Sequence, residues 1–315
     1  MADLHLRTVT RTQGNNQALK NGTVTPQGVT LEFEEVPVLV HAFRRMVREL
    51  AYDVCEMALT TYLCAKEHGK RFTALPIFLV RRLHHGAIVH NVRSGITGPK
   101  DLEGRRVGVN RGYTVTGGVW ARSILHDEHG VDLSRVAWVI SGDEHVAEYR
   151  PPANVVPMEP GNDLAEMVAS GDLPAAVNID VDHADVAPLI PHATEAGFEA
   201  LRLRGFYPIN HLVVVSDDLL DAHPKLAVRI FDAFAEAKNL YVERLRNDAI
   251  DAPTPADAVH KRVMEITGRD PLPYGIEPNR PVLEALIRHA VSQNILERPV
   301  AVETLFPEST HGLIA

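Results

Sequence analysis

The stretch Asp101–Trp120, DLEGRRVGVNRGYTVTGGVW, decides how the chain is read. Arg106–Val109 has the apolar content of a short buried strand, Asn110–Gly112 is a polar turn, and a helix begins just beyond it. Tyr113, Thr114 and Thr116 then fall where a helix leaves its first N–H groups without intrahelical partners. The helix dipole favours negative charge at that end, so a carboxylate or phosphate is the natural guest. The alternative is an ordinary strand–turn–helix in which a threonine only caps the helix.

Outward from this segment, strands and helices alternate. Strands are expected at Leu4–Thr10, Val29–Val36, Tyr52–Met57, Leu75–Leu79, Ala87–Val92, Val136–Ile140, Ala175–Asn178 and His211–Ser216. Helices are expected at Val38–Leu50, Leu59–His68, Val115–Glu128, Asp163–Ser170, Leu226–Asn247, Pro255–Thr267 and Arg280–Gln293. Tyr149–Pro160 is read as a Pro-rich loop. This alternation predicts α/β layers.

The length of 315 residues accommodates two ordinary domains, and 45% hydrophobic with 23% charged residues is a globular composition. The formal net charge of −9 argues against nucleic acid and anionic membranes as partners. A small anion held in a local basic pocket stays compatible with it. Cys55 and Cys64 form neither a disulfide framework nor a CxxC pair, and both sit in apolar sequence. The first 20 residues lack a basic segment followed by an apolar one, and no apolar run reaches membrane-spanning length. A cytoplasmic protein is the expectation, with a homo-oligomer left open.

Three segments in order, Pro99–Val109 (PKDLEGRRVGV), Leu164–Ala176 (LAEMVASGDLPAA) and Asp217–Leu226 (DDLLDAHPKL), resemble the type II periplasmic-binding-protein fold. That resemblance implies two α/β lobes joined by two crossover strands, with ligand in a cleft between the lobes. The crossovers are expected near Ala87–Asn91 and Pro208–Val213. Lobe 1 is then 1–88 with 212–315, and lobe 2 is the inserted 89–211. Within the fold the chain resembles the 4,5-dihydroxyphthalate decarboxylase family over nearly its whole length. The marks are Tyr52–Tyr62 (YDVCEMALTTY), Arg81–Gly86 (RRLHHG), Phe206–His211 (FYPINH) and Asp270–Arg280 (DPLPYGIEPNR). The implied activity removes one carboxylate from a hydroxylated aromatic acid, such as 4,5-dihydroxyphthalate to protocatechuate.

Such chemistry has to hold the phenol, protonate a ring carbon and clamp the spectator carboxylate. Histidine suits the first two tasks near neutral pH, and arginine suits the clamp. The catalytic candidates are His211 with His84 or His85, and Glu56. In an extended segment His84 and His85 point to opposite faces, so at most one reaches ligand. The substrate-binding candidates are Arg81 or Arg82, Thr60, Asn110, Tyr113, Thr114, Thr116 and Tyr207. Arg81 and Arg82 read alternatively as a solvated basic edge, and Glu56 as part of a hydrogen-bond network. No cofactor is expected. A divalent metal stays open, through His84 or His85 with His211 and Glu56. His126 with His129, and the Asp180–Asp185 cluster, match no metal motif. The competing readings are a non-catalytic binding protein for a small carboxylate, and another cytoplasmic enzyme of the same fold.

Overall fold

Alternating burial starts the chain as a strand, β1 (Leu4–Val9), with Leu6 and Thr8 turned inward. The computed structural model describes residues 3–315. After β1 come α1 (Gln17–Lys20), β2 (Val29–Phe33), α2 (Leu39–Glu49), β3 (Val54–Ala58), α3 (Leu59–Glu67) and β4 (Phe72–Arg81). Helix α2 buries Leu39, Ala42, Phe43, Met46 and Val47, one stripe at helical spacing. Strand β3 is buried at all five positions, as a strand covered on both faces must be.

The second unit starts at Arg82. It contains β5 (Ile88–Asn91), β6 (Arg106–Val109), α4 (Thr116–Asp127), β7 (Ala137–Ile140), β8 (Val155–Pro157), α5 (Leu164–Ser170), β9 (Ala175–Val177), β10 (Val186–Pro188) and α6 (Ala193–Arg204). The chain then supplies β11 (Ile209–Ser216), α7 (Asp217–Ala222), α8 (Leu226–Arg246), α9 (Pro255–Thr267) and α10 (Arg280–Ser292). The first unit takes the chain up to Arg81, Gly205–Ala285 and Val300–Ala315; the second takes Arg82–Arg204 and Leu286–Pro299.

In the first unit the sheet order is β2-β1-β3-β11-β4. Strand β1 runs parallel to β2 and β3, while β11 lies antiparallel between β3 and β4. In the second unit the order is β10-β5-β9-β6-β7-β8, with β6, β7, β8 and β9 mutually parallel. Local signals set the helix ends where they are strongest. Thr254 caps α9 in a reciprocal box with Asp257, Pro255 opens the helix, and Gly268 closes it at φ 65. Helix α5 is bounded by Asp163, whose side chain accepts the Glu166 N–H, and by Gly171 at φ 90.

Ile88–Asn91, where the first crossover is expected, is a strand of the second sheet, hydrogen-bonded to β9 and β10. The expected second crossover falls on β11, a strand of the first sheet flanked on both sides. The two compact units divide at 81/82 and 204/205, seven residues before each expected boundary, and residues 286–299 group with the second unit. Helix α6 and the three-residue strands β8 and β10 were not anticipated. Both short strands end in proline, and α6 turns few large apolar residues inward, so neither periodicity stands out.

Gly108 in β6 has no room for a side chain. A Cβ there would overlap Leu164 Cδ1 and come within 3.1 Å of Ala176 Cβ. Gly108→Val should destabilise by about 1–3 kcal/mol through overpacking, read from the urea midpoint.

Two histidines couple stability to pH. Burial pulls His260 on α9 from the usual 6.5 down to about 4, and lowers His289 on α10 as well. Between those values the unfolded chain binds more protons than the folded one. Their contribution is therefore complete above about pH 6.5 and lost as pH falls towards 4, by up to roughly 3 kcal/mol for His260 and in the same direction for His289. Chemical denaturation across that range should show the loss. His289→Gln should flatten it.

Candidate active site

The first unit joins a histidine and a carboxylate through its sheet register. On the antiparallel β3–β11 pair, Val213 stands opposite Glu56 and His211 opposite Ala58. Glu56 and His211 are therefore diagonal neighbours on one face, within reach of long side chains. His211 Nδ1 lies 2.6 Å from Glu56 Oε1. Glu56 is fully buried, and its Oε2 accepts the Arg11 backbone N–H at 2.9 Å. With Glu56 Oε1 as acceptor, Nδ1 carries a proton in this contact, and Nε2 is the ring nitrogen on the side away from Glu56. The imidazole keeps 24% side-chain exposure, and Phe43 meets it edge-on at 5.2 Å. Register shifts between β11 and β4 occur on both sides of His211. Such irregularities re-aim side chains and recur beside active sites. Glu56 is thus a buried carboxyl hydrogen-bonded to His211, not an exposed acid.

Arg81 does not offer its fork to a ligand. It is 6% exposed, and its Nη1 donates to Tyr207 O at 2.8 Å. Its Nη2 donates to Pro273 O at 3.0 Å and Asn279 Oδ1 at 2.5 Å. Burial lowers its pKa to about 10. Tyr207 returns its hydroxyl to Arg81 O at 3.1 Å, so it too is part of this clasp. Thr60, in the first turn of α3, is fully buried.

The second unit distributes its expected residues widely. Arg82 forms an exposed pair with Asp180 at 2.9 Å. His84 is buried at 1% exposure. His85 Nε2 lies 2.9 Å from Glu128 Oε2, and Arg204 also pairs with Glu128, at 2.9 Å. Glu128 is the C-cap of α4, whereas Tyr113–Thr116 lie at its other end. Twelve residues of helix separate them by roughly 18 Å, so His85 and the expected anion site do not meet. Asn110 Nδ2 donates to Asn178 O at 3.0 Å.

The amides expected to bind a ligand carboxylate already hold one from the chain. Tyr113 N–H donates to Glu144 Oε1 at 2.5 Å. Glu144 Oε2 accepts the Thr114 N–H at 3.2 Å and the Thr114 hydroxyl at 2.6 Å. The anion preference of the segment is real, but its guest is internal, and any ligand carboxylate there has to displace Glu144. Thr116 is the buried first residue of α4. Nothing local marks Glu144, which lies 30 positions beyond Thr114. Among the described residues, no group of three or more His, Cys, Asp or Glu side chains is placed to hold a metal ion. Asp180 and Asp185 pair with Arg82 and Arg93, and His126 Nδ1 donates to Val131 O. No described helix is long and apolar enough to cross a membrane.

The alkanesulfonate-binding protein SsuA of Xanthomonas axonopodis pv. citri, solved with MOPS bound, matches with TM-score 0.56 at 16% identity. The match covers 98% of this chain and 99% of that one. The fold is therefore of the periplasmic-binding-protein-like class. By sequence, the chain is a relative of proteins named 4,5-dihydroxyphthalate decarboxylase. That of Comamonas testosteroni is 26% identical over 281 residues, covering 84% of each chain. That of Pseudomonas putida is 35% identical over 143 residues, 43% of this chain and 55% of that protein. No protein-family model matches.

The two neighbouring arginines should behave oppositely. Arg81→Met strips three hydrogen bonds from buried acceptors and should destabilise by about 3 kcal/mol or more. Arg82→Ala, which loses only an exposed ion pair, should stay within about 0.5–1 kcal/mol of wild type. Urea midpoints of the two variants make the comparison.

Proposed function

We propose that this chain is a carboxy-lyase acting on a hydroxylated aromatic acid, with 4,5-dihydroxyphthalate the first candidate and protocatechuate its product. The observation that carries the reading is the His211–Glu56 pair, a partly accessible imidazole oriented by a wholly buried carboxylate. The names of the two relatives supply the substrate class.

The reaction replaces a ring carboxylate by a proton. Electron density from the phenol oxygen para to the leaving group makes the carboxylate-bearing carbon basic. That carbon takes a proton from His211 Nε2 in its imidazolium form. The bond to the carboxylate then breaks, its electron pair restores the aromatic ring, and CO2 departs. His211 regains its proton from solvent. Glu56 accepts the Nδ1 hydrogen bond and so holds the ring in one orientation while Nε2 donates. No electron is gained or lost overall, so the balance calls for no redox cofactor.

CO2 release from 4,5-dihydroxyphthalate and a panel of hydroxylated benzoates tests the reading. His211→Asn should lower kcat by roughly 10²–10⁴-fold with a much smaller change in KM. Full turnover in that variant would remove His211 from the chemistry. A wild-type protein that binds these acids and releases no CO2 from any of them would be a solute-binding protein instead.

A further inference from the structure

Three parallel strands of the second unit, β9, β6 and β7, end in register, with Val109 opposite both Val177 and Ile140. Ligands of α/β sheets gather at such carboxyl edges. The residues just past the strands are Asn110 and Arg111 after β6, Ser141 and Gly142 after β7, and Asn178 after β9.

Two of these stand in the left-handed backbone region without being glycine, Arg111 at φ 71 and Asn178 at φ 60. Asparagine tolerates that region, whereas arginine has no local reason to adopt it. The neighbouring loops hold Arg111 there. Its N–H donates to Ser141 Oγ at 2.8 Å, and the Ser141 N–H donates to Val109 O at 3.0 Å. A Cβ on Gly142 would come within 3.3 Å of Arg111 Cα, so that loop lies directly on the Arg111 backbone. Asn110 is fixed as well, through its N–H to Val177 O at 3.2 Å and its Nδ2 to Asn178 O at 3.0 Å. A glycine at 111 would meet the same backbone demand with less strain. Left-handed residues other than glycine cluster at functional sites, where the side chain is what is being kept.

The side chain kept here is an exposed guanidinium. It offers five N–H donors in a planar fork and no acceptor, a shape that matches a carboxylate. Ser141 Oγ, having accepted the Arg111 N–H, has its own proton to donate. The loop after β7 also carries two acids. Glu144 commits both oxygens to Tyr113 and Thr114, and Asp143 is exposed, where water and salt screen its charge. The two arginines expected to clamp a carboxylate are placed differently. Arg81 is enclosed, and Arg82 Nη2 is shared by both oxygens of Asp180 at 3.0 and 2.9 Å.

We infer that Arg111 is an anion-binding residue of the second unit, whose guanidinium takes a carboxylate of the aromatic acid. The choice of an aromatic carboxylate rests on the function proposed above, but the binding does not require that the acid be decarboxylated.

The test is calorimetric titration of the full chain with phthalate, and with catechol as the probe that lacks a carboxylate. Arg111→Gly and Arg111→Asn should each weaken phthalate at least tenfold and change catechol less than twofold. Both should keep or raise the urea midpoint, because they relieve a left-handed arginine. Arg111→Lys should fall between them and wild type, keeping the charge without the fork. A wild-type protein that does not bind phthalate would overturn the site. So would unchanged phthalate affinity in both variants, an equal loss for catechol, or a lowered urea midpoint in both, which would make Arg111 structural. If the variants lose phthalate while wild type releases no CO2 from any hydroxylated acid, the reaction falls and Arg111 stands.

Discussion

The first sheet depends on β11 being admitted between β3 and β4. The chain leaves that sheet at Arg81 and returns with Ile209 opposite it, after the whole of the second unit's sheet has been laid down. The interior of the sheet is closed only when Leu212–Val215 fill the gap, all four at 0% exposure. This one insertion also fixes which side chains meet. With Val213 opposite Glu56, His211 has to fall on the same face one step along, and the 2.6 Å contact follows. A slip of one residue would turn His211 to the other face and leave a buried carboxylate without its partner.

Polar burial in this protein is organised around such long-range acceptors. Arg81 is tolerated inside because three carbonyl oxygens of distant segments converge on its fork. Tyr113 and Thr114 are quieted by Glu144. Both cases have the same physical basis: a desolvated charge or N–H is costly until paired, and the fold supplies the pair from elsewhere in the chain. A residue type that advertises ligand binding in the sequence is often the one the fold must satisfy first.

His85 and Arg82 illustrate how a basic run is divided. Arg81, Arg82, His84 and His85 read as one patch because they are adjacent in sequence. In the structure Arg81 is enclosed in the first unit, Arg82 stays in solvent beside Asp180, and His85 is tied to Glu128. The backbone turns through this segment, with Gly86 inside a short 3₁₀ turn at His85–Ala87, so neighbours in sequence diverge in space.

The sequence by itself determined the α/β character, nearly every long helix, and the ends of α9 and α5. Those features rest on periodicity, caps and glycines acting within a few residues. It also marked His211 and Glu56 and the anion preference of Tyr113–Thr114, because those follow from residue chemistry. It did not show that His211 and Glu56, 155 positions apart, share one hydrogen bond, that Glu144 occupies the expected anion site, or that Arg111 meets Ser141 at the edge of the second sheet. Those outcomes were set by strand register and by the packing of the loops beyond the strand ends. Local sequence fixes what a side chain can do, and only the pairing of distant backbone segments fixes what it faces.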